Sequence, residues 1–186
     1  EKVVIKIVND ENVALTRYLA GEFDKTAEVP SGQFLKLKEQ YPDEVHSNPA
    51  LCTYYYSMNM GENGPESLKD KRVRQALSYA IDRDIIVNNI LQAGQFPAYT
   101  FTPAATAGFT VPKVEAATMS QAERDAKAAE LLSAAGYGTD NPLSVEILYN
   151  TSEGHKKIAI AISQMWKQKL GVEATMQNQE WKTFLT

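Results

Sequence analysis

The residues of this chain whose types could do chemistry are one cysteine, two histidines and a run of tyrosines. Cys52 and His155 are the minimum for nucleophilic catalysis, a thiolate attacking while an imidazole takes its proton. Such a cysteine needs a helix start, a glycine-rich elbow or a cation to lower its pKa. Cys52 instead stands in Leu51–Met58, LCTYYYSM, an apolar run of β-formers. A cysteine hydrolase is therefore the remote alternative. A lone cysteine reads otherwise as a small buried hydrophobe, or as half of a disulfide whose partner lies outside this chain. Cys52, His46 and His155 lack the spacing of zinc ligands, so neither a metal site nor a cofactor is expected. Asn150 and His155 bracket the start of a long helix, just past the carboxyl end of a strand, where ligands bind in open α/β sheets. Alternation along an extended segment sends Tyr55 to the face opposite Tyr54 and Tyr56. Trp181, in QEWKTF, reads on its own as the hydrophobic anchor of a last helix.

Several elements must position these groups. Val3–Val8 reads as a strand and Val13–Ala20 as a short helix ended by Gly21. Pro30 and Ser31 open another helix, over about 32–40, before a loop with Pro42, Asn48 and Pro49. Leu51–Met58 reads as a strand. Asp70 caps a helix whose apolar positions Val73, Ala76, Leu77, Ala80 and Ile81 follow the rhythm of one buried face. Asp82 caps a second, ahead of Ile85, Ile86 and Ile90, with Gly94 as its stop and Pro97 forbidding continuation. Residues 95–118 carry three prolines, little charge and no sustained period, which is a long loop. Ser120 and Glu123 form a capping box for a helix through Ala126, Ala129 and Leu132 that stops at Gly136. Leu143, Val145, Ile147 and Tyr149 alternate as a strand. A helix over about 153–170 buries Ile158, Ala161, Ile162, Met165 and Trp166, and a strand through Val172, Ala174 and Met176 completes a strand–helix–strand unit. A further helix begins near Glu180.

The chain of 186 residues is 44% hydrophobic and 23% charged, the composition of a globular protein. No apolar run approaches the ~20 residues that span a bilayer. Net charge is −4 and no long basic run exists, so nucleic acid is not an expected partner. The start has no basic region followed by an apolar one and plunges into KVVIKIV. With a helix beginning so close to Thr186, these ends suggest a piece cut from something longer.

The string VRQALSYAIDRDIIV, within Asp70 to Pro97, resembles the signature helices of the extracellular solute-binding proteins, family 5, that feed peptide ABC transporters. Three further segments are similar in the same order: VALTRYLAGEFD (13–24), LCTYYYSMN (51–59), and the run from Ala128 to Trp181 with AELLSAAGY, LGV and EW. LCTYYY, LYNTSEGHKK and NQEWKTFL are especially similar to the periplasmic oligopeptide binders of the family.

The resemblance implies an α/β fold: a middle fragment of a two-lobed periplasmic-binding-protein (type II) fold, with a mixed sheet flanked by helices. Residues 1–51 would belong to the first lobe and 52–186 to the second, peptide-binding lobe, incomplete at its C-terminus. It implies a non-enzymatic, periplasmic protein that captures oligopeptides between its lobes for ABC permease membrane subunits, or a relative for murein peptide, haem or another solute. By the same resemblance Tyr55, Asn150 and His155 face ligand, Trp181 walls a pocket and Glu28 offers a polar group from the first lobe. Ser57 stands where the oligopeptide binders carry a carboxylate near the ligand, which puts a preference for basic side chains in doubt. Cys52 matches a cysteine whose disulfide partner lies just beyond this C-terminus.

Overall fold

The computed structural model describes residues 2–30, 32–48 and 50–185. The expected helix-opening Ser31 and the loop residue Pro49 lie outside them, as does Thr186. The first part of the chain holds two short helices, α1 (Glu11–Leu19) and α2 (Phe34–Gln40). The Asp10 carboxylate caps α1 by accepting from the Asn12 and Val13 amides at 2.8 and 2.9 Å. Side chains tie this part together. Gln33 donates to Asn12 at 2.7 Å, Tyr18 to Glu44, and Lys38 to the Pro42 and Val45 carbonyls.

Two expected strands are absent. Residues 2–10 and 51–60 carry no ladder, and Val3, Val4, Ile5 and Ile7 lie exposed. β-forming residues favour extended backbone, but a strand also needs a neighbour to accept its hydrogen bonds. Among the described residues none pairs with either segment.

The core begins with α3 (Glu66–Lys69) and α4 (Lys71–Ala80). Asp70 caps α4 through the Arg72 amide at 2.8 Å, and Val73, Ala76, Leu77 and Ala80 are buried as the periodicity requires, while Ile81 is half-buried at the helix's end. Asp82 caps α5 (Arg83–Ile85), accepting from the Ile85 amide at 3.1 Å. This helix widens into a π-helical stretch over Ile86–Leu91. Its stop is Gln92, left-handed at φ 56° and donating its amide to the Val87 carbonyl at 2.9 Å, rather than Gly94. The bond that closes it spans five residues, as in a π-turn.

The long loop is interrupted only by α6 (Glu115–Thr118). It is pinned at Tyr99, whose ring lies within cation–π reach of both Arg83 and Arg124, at 5.0 and 5.3 Å. Then α7 (Gln121–Ala134) opens on the expected capping box. Its buried row is Arg124, Ala128 and Leu132, spaced four apart, while Ala126 and Ala129 are exposed. Arg124 is charged yet 4% exposed. Its guanidinium is satisfied by the Ala116 and Met119 carbonyls at 2.9 and 2.5 Å and by Gln121 Oε1.

Strand β1 (Ser144–Asn150), helix α8 (Glu153–Leu170) and strand β2 (Glu173–Gln179) follow. The strands pair in parallel from Ser144 opposite Glu173 to Asn150 opposite Gln179. Val145 and Ile147 point inward, and α8 buries Ile158, Ala159, Ile162, Ser163, Met165 and Trp166, with Ala161 only half-buried. Gly171 closes α8 in the left-handed region at φ 66°, where a side chain would be strained. Side-chain bonds tie α8 to the helices above it, Lys169 to Asp125 of α7 at 2.9 Å among them. The Trp166 indole Nε1 donates to the Leu77 carbonyl of α4 at 2.8 Å. All buried members of this core lie between Val73 and Val172. The last element is α9 (Trp181–Phe184), capped by Glu180 through the Lys182 amide at 2.9 Å.

Candidate functional site

The parallel pair ends where three of the expected site residues begin. Asn150 is the last residue of β1, His155 lies in the first turn of α8, and Trp181 opens α9 two residues after β2 ends. Their common location follows from topology. Parallel strands deliver the start of every following helix to the same edge of the sheet. The edge is held by Thr151, whose amide and hydroxyl donate to Gln179 O and Asn178 Oδ1 at 2.9 and 3.0 Å. Ser152 caps α8, accepting from the His155 amide at 3.4 Å. Trp181 is 52% exposed and stacks on Phe184, the centroids 5.9 Å apart. It therefore packs within its own short helix and still presents ring surface outward.

The tyrosine run reaches the same edge. His155 packs against Tyr54, with centroids 5.2 Å apart, and Tyr54 against Tyr56 at 6.0 Å. Tyr55 turns the other way and meets Phe101 edge-on at 4.9 Å. The alternation expected of an extended segment holds without a ladder, because tetrahedral Cα geometry alone throws successive side chains to opposite sides. Tyr56 Oη is buried, and neighbouring Tyr54 approaches it without satisfying it as a hydrogen-bond partner. Burial, and then the nearby Tyr54 and Tyr149 phenols, push the Tyr56 hydroxyl well above its ordinary value. Tyr54 is raised too, chiefly by burial. Both phenols stay neutral, so the cluster offers rings and hydroxyls rather than charge.

The remaining candidates lie apart from this cluster. Ser57 is exposed beyond the tyrosines, and Glu28 is exposed in the segment between α1 and α2, where among the described residues no hydrogen bond joins it to the others. Cys52 is a free, exposed thiol, which corrects the reading of it as a small buried hydrophobe. With no strand pairing on either side, nothing covers it. Sequence reasoning singled out neither Tyr54 as the partner of His155 nor Phe101 as the partner of Tyr55. The alternation held a signal for Tyr54; the structureless loop held none for Phe101.

Among the described residues no group of three His, Cys, Asp or Glu is placed to hold a metal, and no helix is long and apolar enough to cross a membrane. Among the described residues, shallow depressions lie beside Asp70 and Tyr137 and beside Tyr18 and Glu44, and neither is lined by a candidate residue. The edge presents aromatic rings, an amide and an imidazole, groups able to pack against and hydrogen-bond a ligand.

Residues 1–186 match the family described as bacterial extracellular solute-binding proteins, family 5 Middle. The chain is 48% identical to the periplasmic murein peptide-binding protein MppA of Escherichia coli, over 100% of this chain and 34% of that protein. It is 47% identical to the periplasmic oligopeptide-binding protein OppA of the same organism, over 96% of this chain and 32% of the relative. The chain thus spans about a third of the length of the curated relatives it matches. The solved structure of the murein tripeptide-binding protein superposes with a TM-score of 0.90 over 96% of this chain and 34% of its own. An unliganded open form of that protein superposes with 0.74 over the same shares. OppA of Haemophilus influenzae in complex with the peptide RPPGFSPFR gives 0.86 at 37% identity, covering 95% of this chain and 34% of that one.

Proposed function

The chain belongs to the bacterial extracellular solute-binding proteins, family 5, and from that premise we propose that it is part of a periplasmic receptor for oligopeptides. The complete receptor holds its ligand in a cleft between two lobes and delivers it to the membrane permease of an ABC transporter. It binds and does not catalyse. One observation carries this reading: Asn150, His155 and Trp181 gather at the carboxyl edge of the parallel pair, joined there by the tyrosine run through Tyr54.

The chemistry suits a peptide. An extended segment such as 51–58, with no partner for its backbone among the described residues, is able to pair with the backbone of an extended ligand and so grip it without regard to sequence. The Asn150 amide, the His155 imidazole and the rings of Tyr55 and Trp181 would then line the pockets for ligand side chains, with Glu28 and Ser57 at the margins. Bridging waters would let those pockets accept varied side chains. Cys52, exposed and free, is available for a disulfide with a cysteine beyond residue 186.

The division into a first-lobe part, 1–51, and a second-lobe part, 52–186, has two supports. Every buried member of the main core lies at Val73 or beyond. The same relative also fits this chain with a TM-score of 0.90 in one structure but 0.74 in its open form, as expected if the chain crosses a hinge. A second reading, a receptor for murein peptide, is favoured by the 48% identity to MppA and by the neutral Ser57.

Mass spectrometry of the ligand released on denaturing the full-length protein that carries this chain tests the proposal. A mixture of short peptides supports it. A single murein peptide moves the assignment to the second reading, and a non-peptide solute overturns both.

A further inference from the structure

The loop before α7 keeps two phenylalanines in water. Phe96 is 86% exposed and Phe101 68%, and Phe101 joins the exposed Tyr55 in one apolar patch. Phe101 differs from Phe96 in being fixed. Its ring meets Tyr55 at 4.9 Å with planes at 69°, and its carbonyl accepts a hydrogen bond from Thr53 Oγ1 at 2.8 Å. Two positions of the extended segment 51–58, Thr53 and Tyr55, therefore grip one residue of the loop. Two residues earlier, Tyr99 is held by the guanidiniums of Arg83 and the buried Arg124. A loop without regular structure thus delivers one aromatic side chain to a defined place, beside a residue assigned to the ligand site.

We propose that Phe101 is a further ligand-contacting residue, which with Tyr55 forms an aromatic corner selecting peptides with an apolar or aromatic side chain at the position facing it. The inference rests on the reading of this chain as part of a peptide receptor. An edge-to-face pair leaves ring surface free on both partners, and a third ring adds to such a pair in offset or edge-on contact. The two rings themselves carry no formal charge, and the nearby Arg83 and Arg124 guanidiniums are engaged by Tyr99. Ser57, two residues beyond Tyr55 and on the same side by alternation, brings no charge to draw a basic side chain. The occupant is therefore an uncharged, apolar side chain of the bound peptide.

Calorimetry on the full-length protein with tetrapeptides carrying Phe or Ser at each position in turn is the test. Wild-type protein should prefer Phe at one position. Phe101→Ala should lower affinity for that Phe peptide by about 10-fold, which is ~1.4 kcal/mol, and leave the Ser peptide unchanged. Phe101→Tyr should keep the preference, and so should Phe96→Ala, the still more exposed control without a Tyr55 contact. An unaltered preference in Phe101→Ala, an equal loss for both peptides, or a wild-type protein indifferent to Phe at every position would overturn the inference while leaving the peptide reading intact. Wild-type protein that binds no peptide would overturn the peptide reading, and this inference with it.

Discussion

The imidazole of His155 lies against the ring of Tyr54, their centroids 5.2 Å apart and their planes tilted by 39°. The contact joins the first turn of α8, placed by the β1–α8 junction, to an extended segment far earlier in the chain. Neither partner is placed by the other's local structure. The capped start of α8 sets one, and the Thr53 and Tyr55 attachments to the loop set the other. A surface assembled from independently fixed pieces is what a binding site requires, since little ordering is left for the ligand to impose.

Truncating this surface should weaken peptide binding and spare the fold. In the full-length protein, His155→Ala and Trp181→Ala should each lower peptide affinity by about 10-fold, the effect of removing an interface residue worth more than ~1 kcal/mol. Trp181 is 52% exposed and outside the buried core, so its variant should melt near the wild-type temperature. Calorimetry beside thermal melts measures both, and unchanged affinity in both variants would remove the carboxyl edge of the sheet from the site.

Trp166→Phe should destabilise the protein. The ring is 5% exposed and its Nε1 satisfies the Leu77 carbonyl, one of the last four of α4. Phenylalanine keeps most of the packing and strands that acceptor, at a cost of about 1–3 kcal/mol. Urea denaturation gives the difference, and a loss below about 0.5 kcal/mol would mean that the acceptor finds another donor.

Removing Tyr99 should free the loop. Tyr99→Ala takes away the ring that Arg83 and Arg124 share, so amide exchange should accelerate across residues 95–118 while β1, α8 and β2 keep their protection. Equal acceleration in both regions would show a global loss of stability instead.

Acid should undo the helix caps. Asp70 is held below the ordinary carboxylate range by Arg72, through its side chain and then its amide. Glu123 is held down by the Ser120 amide and hydroxyl. A carboxylate with a depressed folded pKa contributes stability that is complete above its unfolded value and is lost as pH falls through the folded one. Both contributions should therefore hold above about pH 5 and fade below ~4. The pair Asp70→Asn and Glu123→Gln should flatten the urea midpoint against pH between about 5 and 2. An unchanged slope would assign acid sensitivity to other carboxylates.

Helices were the legible part of this fold, because their signals are local. Asp70, Asp82 and the Ser120–Glu123 box name their helix starts within four residues, and Gly136 and Gly171 name two of the stops. The end at Gln92 was hidden, since nothing in IVNNIL announces a π-turn in place of an α-turn. Strands were harder. Leu143 to Tyr149 and 51–58 look alike in composition, yet the first finds β2 and the second has no partner among the described residues. For the site, a resemblance in LYNTSEGH and QEWKTF led to Asn150, His155 and Trp181, and the parallel topology explains their common edge. Phe101 was invisible, because its place depends on Tyr99 being held by two arginines distant in sequence.

The central claim is peptide recognition, and calorimetry of the full-length protein against a mixed panel of di- to pentapeptides tests it most directly. Several peptides of unrelated sequence should bind, with the His155 and Trp181 variants weaker for all of them. No binding across the panel, beside saturable binding of a single non-peptide solute, would contradict it.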